Sequence, residues 1–176
     1  MITAQLNIKI KKAVPADAGL LSVLASTTFY EAYFLQDEPV ALAGYINESF
    51  NSDSMIQQLN DPASHIYILY VNGSAAGYAK LLTGSTDLGV KTVKTIEVKR
   101  IYIVERFWGK GLGEELLEYC IHEAREKDCD SLWLGVWEQN ERGRRFYEKQ
   151  GFVKRGTLEF VYGDTVGINF VLEKIL

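Results

Sequence analysis

The residues that decide the fold are the glycine loop, Arg106 to Gly113, with the sequence Arg-Phe-Trp-Gly-Lys-Gly-Leu-Gly. The preceding segment, Thr95 to Val104, is rich in Ile and Val and predicts a buried strand. After the loop, apolar residues recur at helical spacing: Leu112, Leu116, Leu117, Cys120, Ile121 and Ala124. Glycines between a strand and a helix N-terminus bring free N–H groups and a partial positive charge close to a ligand, so the loop predicts a phosphate-binding site.

The glycine loop does not fit two other common phosphate-binding motifs. A P-loop needs Ser or Thr after Gly-Lys, whereas Gly111 follows Lys110, and the required earlier glycine is missing. A dinucleotide fingerprint needs its third glycine three residues after the second, and Glu114 occupies that place. Neither motif is therefore predicted.

Composition predicts one globular domain, residues 1–176. Of the 176 residues, 47% are hydrophobic and 24% are charged, as in ordinary globular proteins. A net charge of −4 does not favour nucleic acid and suits a cationic substrate. No apolar run is long enough to cross a membrane, and the N-terminal residues lack a signal-peptide pattern. We therefore expect a cytoplasmic protein that binds neither nucleic acid nor membranes.

Cysteine and histidine usage predicts neither a disulfide nor a metal site. Cys120 and Cys129 are expected to be free thiols in a reducing compartment. His65 and His122 lie far apart and lack the spacing of metal ligands.

Periodicity and turn signals predict the order β-α-α-α-β-β-β-α-β-α-β-β. The first helix is expected to start at Pro15 and to end at about Thr28. Asn72-Gly73 predicts a tight hairpin, and Gly163-Asp164 a second turn. Gly151 is expected to end the short helix before the last two strands.

Two segments together resemble the GCN5-related N-acetyltransferases (GNAT). Three residues match the family motif Arg/Gln-x-x-Gly-x-Gly/Ala: Arg106, Gly109 and Gly111. Asn140 lies seven residues before Tyr147, and Phe146 to Phe152 match the Tyr-Glu-Lys-x-x-Gly-Phe segment of the family. The resemblance implies an α/β (α+β) fold, the single-domain acyl-CoA N-acyltransferase fold. Its central sheet is mixed, splayed at strands 4 and 5, with helices on both faces.

The resemblance also implies acetyl-CoA as co-substrate, and no metal. In the family the pantetheine arm runs beside strand 4 and the loop holds the pyrophosphate. The residues implied to contact coenzyme A are Ile101, Tyr102, Ile103, Arg106, Gly109, Lys110, Gly111, Leu112, Gly113, Glu114, Asn140, Tyr147 and Lys149.

Two side chains are implied to carry the proton transfers. A phenol is a donor at neutral pH, and Tyr147 is predicted to protonate the departing thiolate. Glu97 is predicted to be the base that deprotonates the amine. The alternatives are that Tyr147 only packs in the core, that Glu97 pairs with Lys99 or Arg100, and that a water chain replaces a single base.

A closer resemblance is to the bacterial PaiA-type spermidine/spermine acetyltransferases. Its matching segments are residues 100–103, 111–113 and 134–140, Thr28-Phe29, and the pattern from Gly156 to Asp164. The chain departs from that group at Leu158, where His is expected, and at Asn169, where an acidic residue is expected. Both departures concern the acceptor and not acetyl transfer.

A polyamine acceptor would need carboxylates and aromatic faces for its ammonium groups. The helical insertion between the first two strands offers both: Tyr30, Glu31, Tyr33, Asp37 and Glu38. The alternative for each residue is a solvated turn beside core aromatics.

Three functions therefore remain open. The first is acetylation of a polyamine or a similar small amine, which makes a small-molecule amine the partner. The second is the same chemistry on a protein N-terminus or a lysine. The third is a non-catalytic acyl-CoA-binding regulatory protein. Pairing through sheet edges in the family implies a homodimer.

Overall fold

The computed structural model describes residues 6–87, 89–162 and 165–176. The strands are β1 (Ile8–Lys12), β2 (Ser64–Val71), β3 (Ser74–Thr83), β4 (Thr95–Ile103), β5 (Ser131–Trp137), β6 (Val153–Tyr162) and β7 (Thr165–Ile175). The helices are α1 (Ala18–Tyr33), α2 (Pro39–Ser49), α3 (Ser52–Asn60), α4 (Leu112–Glu126) and α5 (Glu141–Lys149). Two 3-10 turns precede α1 and α4, Pro15–Asp17 and the entry turn, Glu105–Phe107.

The predicted order of elements is confirmed, and the predicted end of α1 is wrong. The helix continues five residues past Thr28, to Tyr33. The end of the helix is stabilised by a side-chain hydrogen bond and by aromatic packing. The Thr28 hydroxyl donates to the Leu24 carbonyl at 2.9 Å, so this β-branched residue satisfies its polar group within the helix. Phe29 and Tyr33, one turn apart, pack against each other with ring centroids 4.5 Å apart and planes tilted by 40°.

The sheet has the strand order β1-β2-β3-β4-β5-β7-β6. β4 and β5 are parallel, whereas β5–β7 and β6–β7 are antiparallel, so the predicted mixed sheet is confirmed. In the described part of the chain, the β4–β5 register covers three pairs, from Thr95–Ser131 to Glu97–Trp133. This short register agrees with the predicted splaying. The predicted hairpin turn is confirmed, with positive φ at Asn72 and Gly73.

The chain divides into two compact units. The first unit runs to Lys80 and includes Arg100–Tyr119. In it α1 packs against α2 and α3, and α3 packs against β2. The core of this unit is apolar and centred on α1: Ala13, Ala18, Leu21, Leu24, Ala25, Phe29, Leu42, Phe50, Met55, Ile66, Ile68, Tyr78 and Val104.

The second unit comprises Leu81–Lys99 and Cys120–Leu176. β6 carries a bulge at Arg155, since Lys154 pairs with Leu172 and Gly156 with the adjacent Val171. The bulge turns the Arg155 side chain toward Glu173, whose carboxylate accepts its Nε–H at 2.8 Å.

The apolar residues predicted to line one face of α4 are all buried. No helix in the described ranges has the length and apolar character needed to cross a membrane. The predicted turn at residues 163–164 lies outside the described residues.

Candidate active site

The glycine loop owes its course to two left-handed residues. Gly109 has φ 72° and Gly111 has φ 78°, a region that other L-residues rarely adopt. The Gly111 carbonyl accepts from the amides of both Glu114 and Glu115 at 3.1 Å, which begins α4. Leu112 is buried, so it can offer a ligand only its backbone. The loop thus presents the first N–H groups of a 15-residue helix.

The start of the loop is tied to the end of β4. The Trp108 indole Nε1–H donates to the Ile103 carbonyl at 2.6 Å, and the Phe107 amide donates to the Val104 carbonyl at 2.9 Å. Arg106 and Lys110 are exposed, and the Lys110 ammonium lies 5.0 Å from the centroid of the Phe107 ring. Both cations are therefore available to an anionic ligand.

β3 approaches the predicted pantetheine strand very closely at Gly77. A Cβ at this position would lie 2.5 Å from Ile103 Cδ1 and 2.5 Å from the Tyr102 carbonyl oxygen. Because the second neighbour is backbone, no larger residue fits without moving β4. Sequence reasoning missed Gly77; the only signal was a glycine inside an otherwise regular strand.

Tyr102 and Tyr33 join β4 to the last turn of α1. Burial raises the pKa of both phenols above the ordinary value, and the neighbouring Tyr102 hydroxyl opposes that rise at Tyr33. Both phenols are therefore neutral at physiological pH. Tyr33 packs on the core of the first unit and does not line the groove described next.

An apolar groove lies between the end of α1 and α2, and one of the residues predicted to bind the acceptor, Tyr30, lines it. The groove has a volume of about 220 Å³ and is lined by Tyr30, Phe34, Pro39, Leu42, Ala43, Ile46 and Asn47. Tyr30 and Phe34 stack with centroids 5.5 Å apart and are about half exposed. Of the predicted residues, Tyr30 lines the groove, and Asp37 and Glu38 lie in the segment that joins its two helices.

Two of the predicted acceptor carboxylates bind main-chain N–H groups. Glu38 Oε2 accepts from the Ala41 amide at 2.9 Å and caps α2. Glu31 Oε2 accepts from the Glu105 amide at 2.9 Å, at the beginning of the entry turn. The sequence signal for the Glu38 cap was Pro39 at the next position; nothing local signals the Glu31 bond.

Asn140 caps α5 in the second unit. Its Oδ1 accepts from the Gly143 amide at 2.8 Å. A Cβ at Gly143 would lie 2.8 Å from Asn140 Nδ2, so a glycine here leaves room for the cap. Glycine lowers the stability of a helix interior, and at this position the lack of a Cβ is what admits the Asn140 cap.

Tyr147 lies on α5 between two aromatic rings. Its centroid is 5.2 Å from that of Phe146 and 5.5 Å from that of Phe152. Lys149, at the end of the same helix, is exposed. The helix ends as predicted at Gly151, with φ 82° and its amide donating to the Glu148 carbonyl.

Glu97 is buried on β4, and both of its oxygens have partners. Oε2 accepts from the Ser85 hydroxyl at 2.6 Å, and Oε1 accepts from the Lys99 ammonium at 3.1 Å. The pairing with Lys99 considered from the sequence is therefore present.

The two departures from the PaiA pattern lie side by side. Leu158 on β6 pairs with Asn169 on β7, and both side chains lie within 3.6 Å of the Cβ position of Gly135. Asp164, the last residue of that pattern, lies outside the described residues. Among the residues that the structure describes, no group of three or more His, Cys, Asp or Glu side chains is placed to hold a metal ion.

Each unit thus holds part of the predicted site. The first brings together the glycine loop, the end of β4 and the end of α1, through the Glu31–Glu105 bond and the packing of Phe29 on Tyr102. The second places Asn140, Tyr147 and Lys149 on α5, and Glu97 on β4.

Comparisons with known proteins agree with this architecture. The sequence model of the acetyltransferase (GNAT) family matches residues 26–152. An uncharacterized N-acetyltransferase of Lactobacillus delbrueckii subsp. lactis is 31% identical over 170 residues, 97% of this chain and 98% of the relative. A spermidine N(1)-acetyltransferase of Thermoplasma acidophilum is 24% identical over 96% of this chain and 98% of its own.

Among solved structures, the PaiA N-acetyltransferase of Thermoplasma acidophilum in complex with coenzyme A has the same fold. Its TM-score is 0.78 at 20% identity, over 97% of this chain and 99% of that one. The family match covers more than half of the chain and includes both motifs, from Arg106 to Phe152. The chain therefore belongs to the acetyltransferase (GNAT) family and is an acetyl-CoA-dependent N-acetyltransferase.

Proposed function

We propose that the acceptor is a polyamine, such as spermidine or spermine, or a similar small amine with more than one ammonium group. The observation that carries this proposal is the acidic segment, residues 13–79, which contains no Lys or Arg. Its seven carboxylates are Asp17, Glu31, Asp37, Glu38, Glu48, Asp53 and Asp61. Such a one-sided charge attracts a polycation and disfavours an anionic acceptor.

The apolar groove suits the rest of a polyamine. Stacked and half-exposed, Tyr30 and Phe34 offer aromatic faces to methylene groups and to ammonium ions. Asp37 lies three residues after Phe34, in the link between α1 and α2. A spermidine N(1)-acetyltransferase is among the relatives that match nearly the whole chain, which supports the same substrate class.

The proposed reaction is a direct attack in a ternary complex. The neutral amine attacks the thioester carbonyl of acetyl-CoA, the C–S bond breaks, and coenzyme A leaves as a thiolate that must gain a proton. We assign the pyrophosphate to the N–H groups of Gly109–Gly113, with Arg106 and Lys110 as cationic partners. The pantetheine arm is assigned to the backbone of Ile101–Ile103 and to Asn140.

Tyr147 is the proposed proton donor to the thiolate, since a phenol is protonated at neutral pH. Glu97 is the proposed base, acting directly or through water. Its bonds to Ser85 and Lys99 hold the carboxylate in one orientation, and one of them must be exchanged when it takes a proton. The homodimer and the cytoplasmic location implied by the resemblance stay predictions.

The acceptor is tested by measuring coenzyme A release against matched amines. The panel is spermidine, spermine, 1,4-diaminobutane, 1-aminobutane and a short peptide with a free N-terminus. We expect the kcat/KM for spermidine to exceed that for 1-aminobutane by about tenfold or more, since each additional paired ammonium contributes about 1 kcal/mol or more. Turnover of the peptide alone would refute the polyamine assignment.

Two controls keep this test clear. Tyr147→Phe should lower turnover with every acceptor and leave coenzyme A binding nearly unchanged, so it reports background acetylation. Added salt should reduce the preference for spermidine if charge produces it, because ionic strength screens exposed carboxylates. A preference that salt does not change would contradict the role given to the acidic segment.

A further inference from the structure

The last turn of α1 is bonded to the segment that leads into the glycine loop. Glu31 Oε2 accepts the Glu105 N–H at 2.9 Å, across 74 positions of sequence. Glu105 is the first residue of the entry turn, and the glycine loop follows directly. The carboxylate therefore holds the point at which the chain leaves β4 for the loop.

The remainder of the entry turn is fixed from within. The Phe107 amide donates to Val104 and the Trp108 amide to Glu105, both at 2.9 Å, while the Trp108 indole donates to Ile103. These bonds make residues 103–108 a compact piece of backbone. Two bonds tie this segment to other elements: the Val104 amide donates to the Ala76 carbonyl of β3 at 2.9 Å, and Glu31 of α1 accepts the Glu105 amide. The Glu31 bond is the one closer to Gly109, so Glu31 helps to set where the glycine loop begins.

A second contact from the same turn of α1 reaches β4 itself. Tyr33 lies two residues after Glu31, and Tyr102 lies three residues before Glu105. Both tyrosines pack against the same apolar core, and each hydroxyl influences the pKa of the other. Phe29, one turn earlier, packs 6.4 Å from the Tyr102 ring. The end of α1 is thus fixed to both the predicted pantetheine strand and the predicted pyrophosphate loop.

We infer that Glu31 is a positioning residue for acetyl-CoA and not a ligand of the acceptor amine. The inference rests on the proposed assignment of the pyrophosphate to the glycine loop, and it is independent of which amine is acetylated. The Glu31 carboxylate, a charged hydrogen-bond acceptor, keeps the entry turn in one conformation. In that conformation the Gly109–Gly113 amides converge on the pyrophosphate.

Glu38 supplies a matched control within the same segment. Its Oε2 accepts the Ala41 amide at the same distance, 2.9 Å, and it precedes Pro39, which lines the apolar groove. That bond closes on its own helix, only three residues away, and leads to no part of the loop. Removing Glu38 therefore removes only a helix cap, whereas removing Glu31 removes the contact to the entry turn.

The experiment compares Glu31→Ala, Glu31→Gln and Glu38→Ala in the full chain. Calorimetry gives the dissociation constant of coenzyme A, and steady-state kinetics give the KM of acetyl-CoA and of the best amine. We expect Glu31→Ala to weaken coenzyme A by about tenfold with the amine KM nearly unchanged, since a hydrogen bond to a charged group is lost. Glu38→Ala should leave the coenzyme A constant unchanged.

Glu31→Gln separates positioning from amine binding without removing the side chain. The glutamine carbonyl still accepts the Glu105 N–H, so coenzyme A affinity should stay within about threefold of wild type, as should the amine KM. A raised amine KM in Glu31→Gln, with coenzyme A binding intact, would overturn the inference and make Glu31 an acceptor ligand. This variant keeps the test decisive even if Glu31→Ala does not fold.

Gly111→Ala distinguishes failure of the inference from failure of the loop assignment. An alanine at φ 78° is strained, so this variant should distort the loop and weaken coenzyme A strongly. If Gly111→Ala binds coenzyme A like wild type, the loop is not the pyrophosphate site, and the assignment of the pyrophosphate in the proposed function is wrong. If Gly111→Ala binds weakly and Glu31→Ala binds normally, the loop stands and the positioning role of Glu31 is refuted.

Discussion

The second unit contains two buried glutamates, Glu97 on β4 and Glu173 on β7. They have similar hydrogen-bond partners, but the cation beside each one differs in its exposure to solvent. Glu97 is 6% exposed and Glu173 is 1% exposed, and each carboxylate meets one cation and at least one hydroxyl. The cation of Glu97 is Lys99, whose side chain is 49% exposed; that of Glu173 is Arg155, at 17%. The first pair borders solvent and the second is enclosed.

The two sites also differ in how many segments they join. Glu173 is bonded to β6 through Arg155 and to the β3–β4 connection through the Lys91 amide and the Thr92 hydroxyl, and the Thr92 hydroxyl is in turn bonded to Ser131 of β5. Glu97 is bonded to Ser85 and to Lys99 two residues along its own strand. A carboxylate that must exchange a proton needs partners it can release, so Glu97 is suited to proton transfer and Glu173 to holding the unit together.

The largest effect expected from this comparison is on stability at Glu173. Glu173→Ala leaves the enclosed Arg155 guanidinium without its carboxylate, and we expect a loss of about 3–5 kcal/mol in the free energy of unfolding. Urea denaturation followed by circular dichroism measures it. Glu159→Ala, an exposed carboxylate on β6, is the control and should change stability by less than about 0.5 kcal/mol.

The next effect is on catalysis at Glu97. Glu97→Gln keeps the shape and the bond from Ser85, so we expect a stability loss of only about 1 kcal/mol but a kcat about a hundredfold lower, the usual range for a general base. Turnover at saturating acetyl-CoA and amine measures it. A kcat within about threefold of wild type would assign the proton to a water chain instead.

A third test uses pH. Burial by itself raises the pKa of Glu173, but hydrogen bonds from Arg155, Ser131 and the Lys91 amide outweigh it and hold the pKa below its ordinary value. A carboxyl with a lowered folded-state pKa contributes stability that is complete above the unfolded pKa and is lost as pH falls through the folded one.

We therefore expect the difference in unfolding free energy between wild type and Glu173→Gln to be constant from about pH 6 to about pH 8, and to shrink below about pH 4. Urea titrations at a series of pH values measure it. A difference that does not change with pH would show that Glu173 stabilises the unit through its shape and not through its charge.

Features that depend on a few neighbouring residues could be predicted from the sequence alone. The hairpin at Asn72-Gly73 and the end of α5 at Gly151 need backbone conformations that few residues adopt. The residue types at these positions are therefore enough to predict where the turn and the helix end lie. The burial of Leu116 and Ile121 follows from helical spacing in the same way. Asn140 and Tyr147 are identified by a sequence motif that spans only residues 140–152, so no distant contact is needed to find them.

Contacts between distant segments could not be read in this way. The Arg155–Glu173 bond depends on a bulge that shifts one residue of β6 against β7, and an alternating strand pattern does not reveal a bulge. The Glu31–Glu105 bond depends on α1 continuing to Tyr33, past its predicted end at about Thr28. The close approach at Gly77 depends on β3 lying beside β4.

The smallest effect distinguishes the two ion pairs most directly. Lys99→Met keeps the aliphatic stem and removes the ammonium from Glu97, while the Ser85 hydroxyl still donates at 2.6 Å. Because Lys99 is half exposed, water can replace its ammonium, and we expect a stability loss below about 1 kcal/mol. Arg155→Met, measured alongside by urea denaturation, should cost about 3 kcal/mol or more, because water cannot reach Glu173 as easily. Equal losses in the two variants would mean that Glu97 is held as firmly as Glu173, and a carboxylate so held would be a poor base.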